Sequence, residues 1–234
     1  MATTKVQESE ITLVNAGSPR TGTITLTGVA AGSTIIGLVL QLSSSNRTYT
    51  ASSDLDGSLS LVVSTGTTQA ATIFEKRVAT AGTHVVTFTA NTGTVNFYAQ
   101  VVEVSGLHAT DSTVTGSLID AVDANTHYSA SSGNIDFSGA GFVLAIGALN
   151  SSSGVTSTTA GTGFTKLPGT YPGTNFFTQY KISTGAESDL RGEWTNAGTA
   201  RGNVGVMAWF PEDTVVPIIQ RTPLSRLDLR GGLN

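Results

Sequence analysis

The chain has 234 residues, of which only 12% are charged, and it has a formal net charge of −4 and no cysteine. The absence of cysteine excludes disulfides, thiolate metal sites and cysteine nucleophiles, and the acidic balance argues against nucleic acid as a partner. The start of the chain lacks the apolar stretch of a secretory signal, and no apolar run approaches the roughly 18 residues of a membrane-spanning helix. Ser, Thr, Gly and Asn supply most of the polar content, which suits half-exposed strands and turns.

The N-terminal part predicts an arm, an edge strand and two further strands. Residues 1–10 are polar, so we expect weak structure there, and residues 11–14 could pair at a sheet edge. Residues 23–26 alternate between polar and apolar side chains, which indicates a half-buried strand. Residues 34–42 are almost continuously apolar, which predicts a central strand covered on both faces.

Two more strands, residues 47–52 and 58–64, flank a turn at residues 54–57. Gly57 can adopt the positive φ that hairpin turns require. The spacing of Asp54 and Asp56 resembles a fragment of a calcium loop, but the later oxygen ligands and the closing Glu are absent. A hairpin turn is therefore the favoured interpretation.

The most repetitive part of the chain is residues 72–106, whose plan returns in residues 176–211. Each stretch predicts a strand, a short Thr/Ala/Gly turn, a second strand, a Gly turn and a more apolar third strand. The second copy is preceded by a strand at residues 134–137 and by the apolar run of residues 141–149, which matches residues 34–42. A plan repeated in fixed order indicates two related halves.

These elements predict an all-β protein: an antiparallel, jelly-roll-like β-sandwich built from two related halves, with extended N- and C-terminal arms. A strand is expected near residues 113–118, in the crossover between the halves. One merged sandwich is favoured over two tandem immunoglobulin-like domains, because closing two sheets on each other protects short edges. The predicted parts are an N-terminal arm or edge strand at 1–20, halves at about 21–106 and 133–211, a crossover at 107–132 and a C-terminal docking tail at 212–234.

Residues that could carry catalysis or bind metal are scattered. Paired carboxylates could hydrolyse glycosides, but the acids of the first repeat have no counterparts in the second, so we interpret them as surface acids. The histidines lack the spacing of metal ligands. The sequence therefore predicts no catalytic residue, no metal site and no cofactor. The acids and histidines considered are Glu75, Glu103, Glu193, His84, His108 and His127.

Three aromatic residues, Trp194, Tyr171 and Tyr128, could form a platform for a sugar. Trp194 alternates with Glu193 and Thr195 along a predicted strand, so it faces away from both. A core position is favoured for Trp194, and glycan binding is the alternative.

The C-terminal tail differs from the rest of the chain. Pro217 and Pro223 prevent regular strand pairing in its interior. Its arginines and apolar residues are typical of a segment that is ordered by docking on its own sandwich or on a neighbour. The candidate partner-binding residues are Arg221, Leu224, Arg226, Leu227, Leu229, Arg230 and Leu233.

Three stretches together carry a resemblance to a known family: Val-Ala-Thr-Ala-Gly at 78–82, Val-Val-Thr-Phe at 85–88 and Glu-Val-Ser-Gly at 103–106. They resemble a Gly/Ser/Thr-rich β-sandwich module common in structural proteins of tailed bacteriophages, over roughly residues 23–211.

The resemblance implies a non-enzymatic component of the virion, made in the host cytoplasm, that decorates or cements the capsid or fits at a head or tail junction. Its partners would be other capsid or tail subunits, with the chain itself oligomeric or in many copies, and neither nucleic acid nor membrane is expected. The alternative is a carbohydrate-binding module of a tail fibre or receptor-binding protein.

Overall fold

A computed structural model describes residues 2–14, 19–42, 47–65, 69–91, 96–108, 114–120, 129–130, 134–149, 157–169, 176–192, 194–197 and 203–213. All regular structure in these residues is β-strand, so the predicted all-β class is confirmed. These ranges accordingly contain no helix that could cross a bilayer. The strands are β1 (Thr4–Val14), β2 (Thr21–Val29), β3 (Thr34–Leu42), β4 (Tyr49–Ser53), β5 (Gly57–Ser58), β6 (Ser60–Thr65), β7 (Gln69–Arg77), β8 (Gly82–Ala90), β9 (Phe97–Ser105), β10 (Val114–Asp120), β11 (Ser129–Ala130), β12 (Asn134–Phe137), β13 (Gly141–Leu149), β14 (Ser157–Ala160), β15 (Thr165–Lys166), β16 (Phe176–Ser183), β17 (Glu187–Arg191), β18 (Trp194–Ala197) and β19 (Asn203–Pro211).

The strands form two five-stranded sheets and three smaller ones. Sheet 1 has the order β1-β9-β3-β7-β6, and sheet 3 has the order β10-β19-β13-β16-β15. Sheet 2 is β2-β8-β4-β5, sheet 4 is β11-β18-β14 and sheet 5 is β12-β17. All the pairings are antiparallel.

The sheets are stacked in layers, with sheets 1 and 3 in the middle. One core lies between sheet 1 and sheet 2 and contains Phe88 and Phe97. A second core lies between sheet 1 and sheet 3 and contains Leu38 and Leu144. A third core lies between sheet 3 and sheet 5 and contains Phe137.

The two apolar runs occupy the positions that the sequence predicts for them. On β3, Ile35 faces the core shared with sheet 2, and its neighbour Ile36 faces the core shared with sheet 3. On β13, Phe142 faces sheet 1, and Val143 faces the opposite side. Successive side chains point to opposite faces of a strand, so both faces of these strands are buried in apolar cores.

The two apolar runs, residues 34–42 and 141–149, lie at corresponding positions in sheets 1 and 3. They do not correspond residue by residue when their first residues are aligned, because Ile35 then faces away from sheet 3, whereas Phe142 faces sheet 1. A slip of one residue exchanges the two faces of a strand. Sheets 1 and 3 nevertheless place their strands in a similar chain order; the jelly-roll path and the doubling of the halves stay predictions.

The N-terminal part is more ordered than the sequence suggests. The expectation of weak structure over residues 1–10 is wrong, because β1 begins at Thr4 and pairs with β9. The expected edge strand at residues 11–14 is the last part of β1. The strand expected near residues 113–118 is confirmed as β10, which pairs with β19 at the edge of sheet 3.

Candidate functional site

Glu103 is buried and holds a loop in place, so its interpretation as a surface acid is wrong. The side chain is 1% exposed. Its Oε1 accepts hydrogen bonds from the backbone N–H of Ala30 at 3.1 Å and from the hydroxyl of Ser33 at 2.8 Å. Its Oε2 accepts a hydrogen bond from Gln7 Nε2 at 2.6 Å. A buried carboxylate needs such donors, and here they fasten the β2–β3 loop and β1 to β9.

His84 is also a buried structural group. Its side chain is 0% exposed, and both ring nitrogens lie within hydrogen-bonding distance of a partner. Nδ1 lies 2.7 Å from the hydroxyl oxygen of Ser53, and Nε2 lies 2.8 Å from the carbonyl oxygen of Thr80. Nε2 donates to the carbonyl of Thr80, which can only accept, and Nδ1 shares the second hydrogen bond with the Ser53 hydroxyl. Because Ser53 is buried as well, this pair presents no nucleophile to solvent.

The turn at residues 54–57 uses its carboxylates to bind backbone. Asp54 Oδ1 accepts from the N–H groups of Val85 and Leu55, and the Asp56 carboxylate accepts from those of Ala79 and Thr80. Gly57 has a φ of 76°, as a hairpin turn requires. The described residues contain no group of three or more His, Cys, Asp or Glu placed to hold a metal.

Trp194 is fully buried and stacks on Phe177, with ring centroids 4.8 Å apart. The favoured core position is therefore correct, and Trp194 cannot contribute to an exposed sugar platform as it stands. Tyr171 and Tyr128 lie outside the described residues. Of the three aromatic residues proposed for glycan binding, the structure describes only Trp194, and its burial argues against that alternative.

Several polar residues that the sequence did not single out connect the layers. Gln100 on β9 is buried and donates from Nε2 to the carbonyl of Pro168 at 2.7 Å. Gln179 on β16 is buried and accepts from the N–H of Gly161 at 3.0 Å. For Gln100 the available signal was a single amide between the apolar residues Ala99 and Val101 of a strand, because a buried amide needs partners. Tyr49 is another buried polar side chain. Burial raises the pKa of its hydroxyl group, and this hydroxyl donates a hydrogen bond to the side chain of Gln41.

The point where the chain leaves β19 is held by residues from distant parts of the sequence. Leu107 and Glu212 form an antiparallel bridge where the chain leaves β9 and β19. The N–H of His108 donates to the carbonyl of Pro211 at 2.9 Å, and the N–H of Asp213 donates to that of Gly106 at 2.8 Å. We call residues 106–108 and 211–213 the exit clamp.

Two further contacts brace the exit clamp. Thr3 donates from its backbone N–H and its hydroxyl to Glu212 Oε2, at 3.4 and 3.3 Å. Arg77 Nη1 donates to the carbonyl of Leu107 at 2.6 Å. Four parts of the chain therefore meet where the tail starts: the beginning of the chain and the ends of β7, β9 and β19.

The predicted partner-binding residues follow the exit clamp and lie outside the described residues. Of the predicted tail at 212–234, Glu212 and Asp213 belong to the clamp itself. Among the other candidates, Glu193 and His127 also lie outside the described residues. Glu75 is half-buried on β7 and interacts with at least one partner.

Comparisons with protein-family models, with curated proteins and with solved structures gave no match.

Proposed function

We propose that this protein is a non-enzymatic structural component of a tailed-phage virion that holds neighbouring subunits through its C-terminal tail. It decorates or cements the capsid, or fits at a head or tail junction. The layered sandwich provides a rigid body, and residues 214–234 provide the grip.

The exit clamp is the observation that carries this proposal. The segment that follows it has three arginines and several leucines and isoleucines. A tail that begins at a braced point transmits force to the sandwich. Arginines suit such a grip because the guanidinium pairs bidentately with carboxylates at a partly dry interface. The apolar residues add burial at about 25 cal/mol per Å², less the cost of ordering the segment.

The fates of the candidate catalytic residues agree with this role. Glu103 and His84 form hydrogen bonds with loop residues and backbone groups inside the sandwich. Asp54 and Asp56 bind backbone N–H groups. Polar groups committed in this way stiffen a body that carries load, because each of them ties two segments together.

A chain that ends at Asp213 tests the proposal. It keeps every contact of the exit clamp, so we expect the same circular dichroism spectrum and the same midpoint of thermal unfolding as the full chain. Offered to particles that lack the protein, it should fail to bind, whereas the full chain binds. Normal incorporation of the shortened chain would refute the role of the tail.

Two variants of the tail separate the contribution of the arginines to particle binding from that of the leucines. Replacing Arg221, Arg226 and Arg230 by Lys keeps the charge and removes bidentate pairing, so particle binding should weaken and become more sensitive to salt. Replacing Leu224, Leu227 and Leu229 by Ser removes apolar burial, so binding should weaken at every salt concentration.

A further inference from the structure

The edge of sheet 3 formed by β10 differs from the other long sheet edges. β10 pairs with β19 over its whole length, from Val114 opposite Trp209 to Asp120 opposite Asn203, without a shift in register. In sheet 1, both edges are irregular: β1 shifts between Lys5 and Gln7, and β6 shifts between Leu61 and Val63.

The remaining edges among the described residues are short or interrupted. The opposite edge of sheet 3, β15, has two residues, and β5 of sheet 2 also has two. β2 shifts between Leu26 and Val29, and Gln7 Nε2 binds the carbonyl of Thr27 beside it. Bulges and short strands protect edges against pairing with other chains. In the described part of the chain, β10 has neither device: it is seven residues long and pairs without a shift.

The layers on either side of sheet 3 contact β10. β6 of sheet 1 and β12 of sheet 5 both run within contact distance of it. A strand added beside β10 would extend sheet 3 through backbone hydrogen bonds.

We propose that β10 accepts the C-terminal tail of a second copy of this chain as an added edge strand. This inference rests on the proposed function, because it takes the tail as the segment that binds a neighbour. It adds that the neighbour is a second copy of the chain. The tail of one subunit would pair with sheet 3 of the next and so link copies in a row.

The length and exit direction of the tail favour a second copy over the same chain. Both sides of β19 are taken, by β10 and by β13. β10 runs antiparallel to β19, so a tail that turned back along β10 in its own subunit would lie parallel to it. A tail from a second copy can enter antiparallel, which is the more stable and more common arrangement.

The tail is long enough to reach a second subunit, and part of it can pair with β10. About 20 residues span up to roughly 70 Å when extended, enough to leave one subunit and cross another. Proline is tolerated on an edge strand, where its missing N–H faces solvent. Residues 218–222, between Pro217 and Pro223, supply an uninterrupted stretch for pairing with β10.

Cross-linking of the full-length chain tests this inference, because the protein has no cysteine of its own. One preparation carries Ser117→Cys, in the middle of β10, and a second carries Gln220→Cys, in the tail. The two are mixed and treated with a short bismaleimide, and the products are separated on a denaturing gel. We expect a cross-linked heterodimer.

The control replaces Ser117→Cys by Thr50→Cys, an exposed position on β4 in sheet 2, and should lose the heterodimer. Equal yields from both mixtures, or no heterodimer from either, would overturn the inference. A chain carrying both Ser117→Cys and Gln220→Cys should also give dimers; a link formed only within one chain would contradict a second copy as the donor.

The two proposals can fail separately. If the heterodimer is absent while the chain ending at Asp213 still cannot bind particles, the tail grips another virion protein and the role of β10 is wrong. If the heterodimer forms and the shortened chain binds particles normally, self-pairing stands and the proposed function is wrong.

Discussion

The outer faces of the two central sheets are covered in different ways. Sheet 2 covers sheet 1 as one four-stranded sheet, in which β8 runs unbroken from Gly82 to Ala90. Sheets 4 and 5 are two small sheets in which β17 ends at Arg191 and β18 begins at Trp194. β8 pairs with β2 over nearly its whole length and with β4 over its second half, so the first covering layer is continuous where the second is divided.

Buried polar groups without a partner occur in both covering layers: over sheet 1, Arg20 Nε beside β2 has no hydrogen-bond partner in the described chain. Under sheet 2, both nitrogens of His84 lie close to a partner. On the outer face of sheet 3, the indole N–H groups of Trp194 and Trp209 have no hydrogen-bond partner in the described chain. A buried group without a partner costs free energy. Because the layer over sheet 3 is also divided, we expect it to open before the layer over sheet 1.

The backbone near β17 shows the local cause. Asp189 has a φ of 52°, the one positive value for a non-glycine residue in the described chain. The N–H of Asp189 donates to the carboxylate of Asp136 at 2.6 Å, and β12 shifts register between Ile135 and Phe137. Asp tolerates the left-handed region better than most residues, so the strand bends here.

The largest effect should come from Gly141→Ala, at the start of β13. An added Cβ would lie 2.2 Å from the carbonyl oxygen of Phe210 and 2.6 Å from Trp209 Nε1. Because one obstacle is backbone, the strands must separate, and we expect a loss of about 3 kcal/mol in the free energy of unfolding. Urea denaturation measures it. Gly185→Ala is the control, since nothing lies within 4 Å of its Cβ; an equal loss there would contradict close packing of β13 on β19.

Glu103→Ala should have the next largest effect, on the better closed region. It leaves the N–H of Ala30 without its acceptor, and Ser33 and Gln7 keep only their bonds to the carbonyls of Ala30 and Thr27. We expect a cost of roughly 2 kcal/mol of unfolding free energy. Glu103→Gln keeps an acceptor for Ala30 and should lose less. Urea denaturation of both variants tests this, and equal stability of Glu103→Ala and the parent chain would mean that the loop does not depend on the carboxylate.

His84→Phe should cost about 1 to 2 kcal/mol, because the ring volume is kept while Ser53 and the Thr80 carbonyl lose their partner. Native-state hydrogen exchange should show the loss in amides of residues 79–90. If exchange rises equally across residues 187–197, the two covering layers are not independent units.

Trp194→Phe should have the smallest effect, within about 0.5 kcal/mol of the parent chain. The substitution removes an indole N–H that has no partner, which offsets part of the lost burial. Thermal unfolding measures this. A loss as large as that of His84→Phe would mean that the indole N–H is satisfied and that the two covering layers differ less than their strands suggest.

The sequence predicts the class and the central strands well because both depend on local pattern. The apolar runs of β3 and β13 are long enough to identify strands buried on both faces. The face on which each residue lies was not predictable, since Ile35 and Ile36 are equally apolar and their directions depend on which sheet packs where.

The polar residues show the limit of sequence inference most clearly. Glu103 lies on a strand that also carries Val102 and Val104, and an acid in such a pattern is typical of a surface. Its burial depends on donors from residues 30–33, which are some 70 positions away in the chain. No local pattern records such a pairing. Of the predicted site residues, Trp194 is placed in the core, and the tail residues stay a prediction.

The exit clamp also decides how a pull on the tail would be resisted. The load would enter at Asp213 and run along β19, which is bonded on one side to β10 and on the other to β13. Tension along a strand bonded on both sides strains many hydrogen bonds in shear at once, instead of peeling them one by one. A pull on the residues after Asp213 would therefore be shared by the three strands β10, β19 and β13.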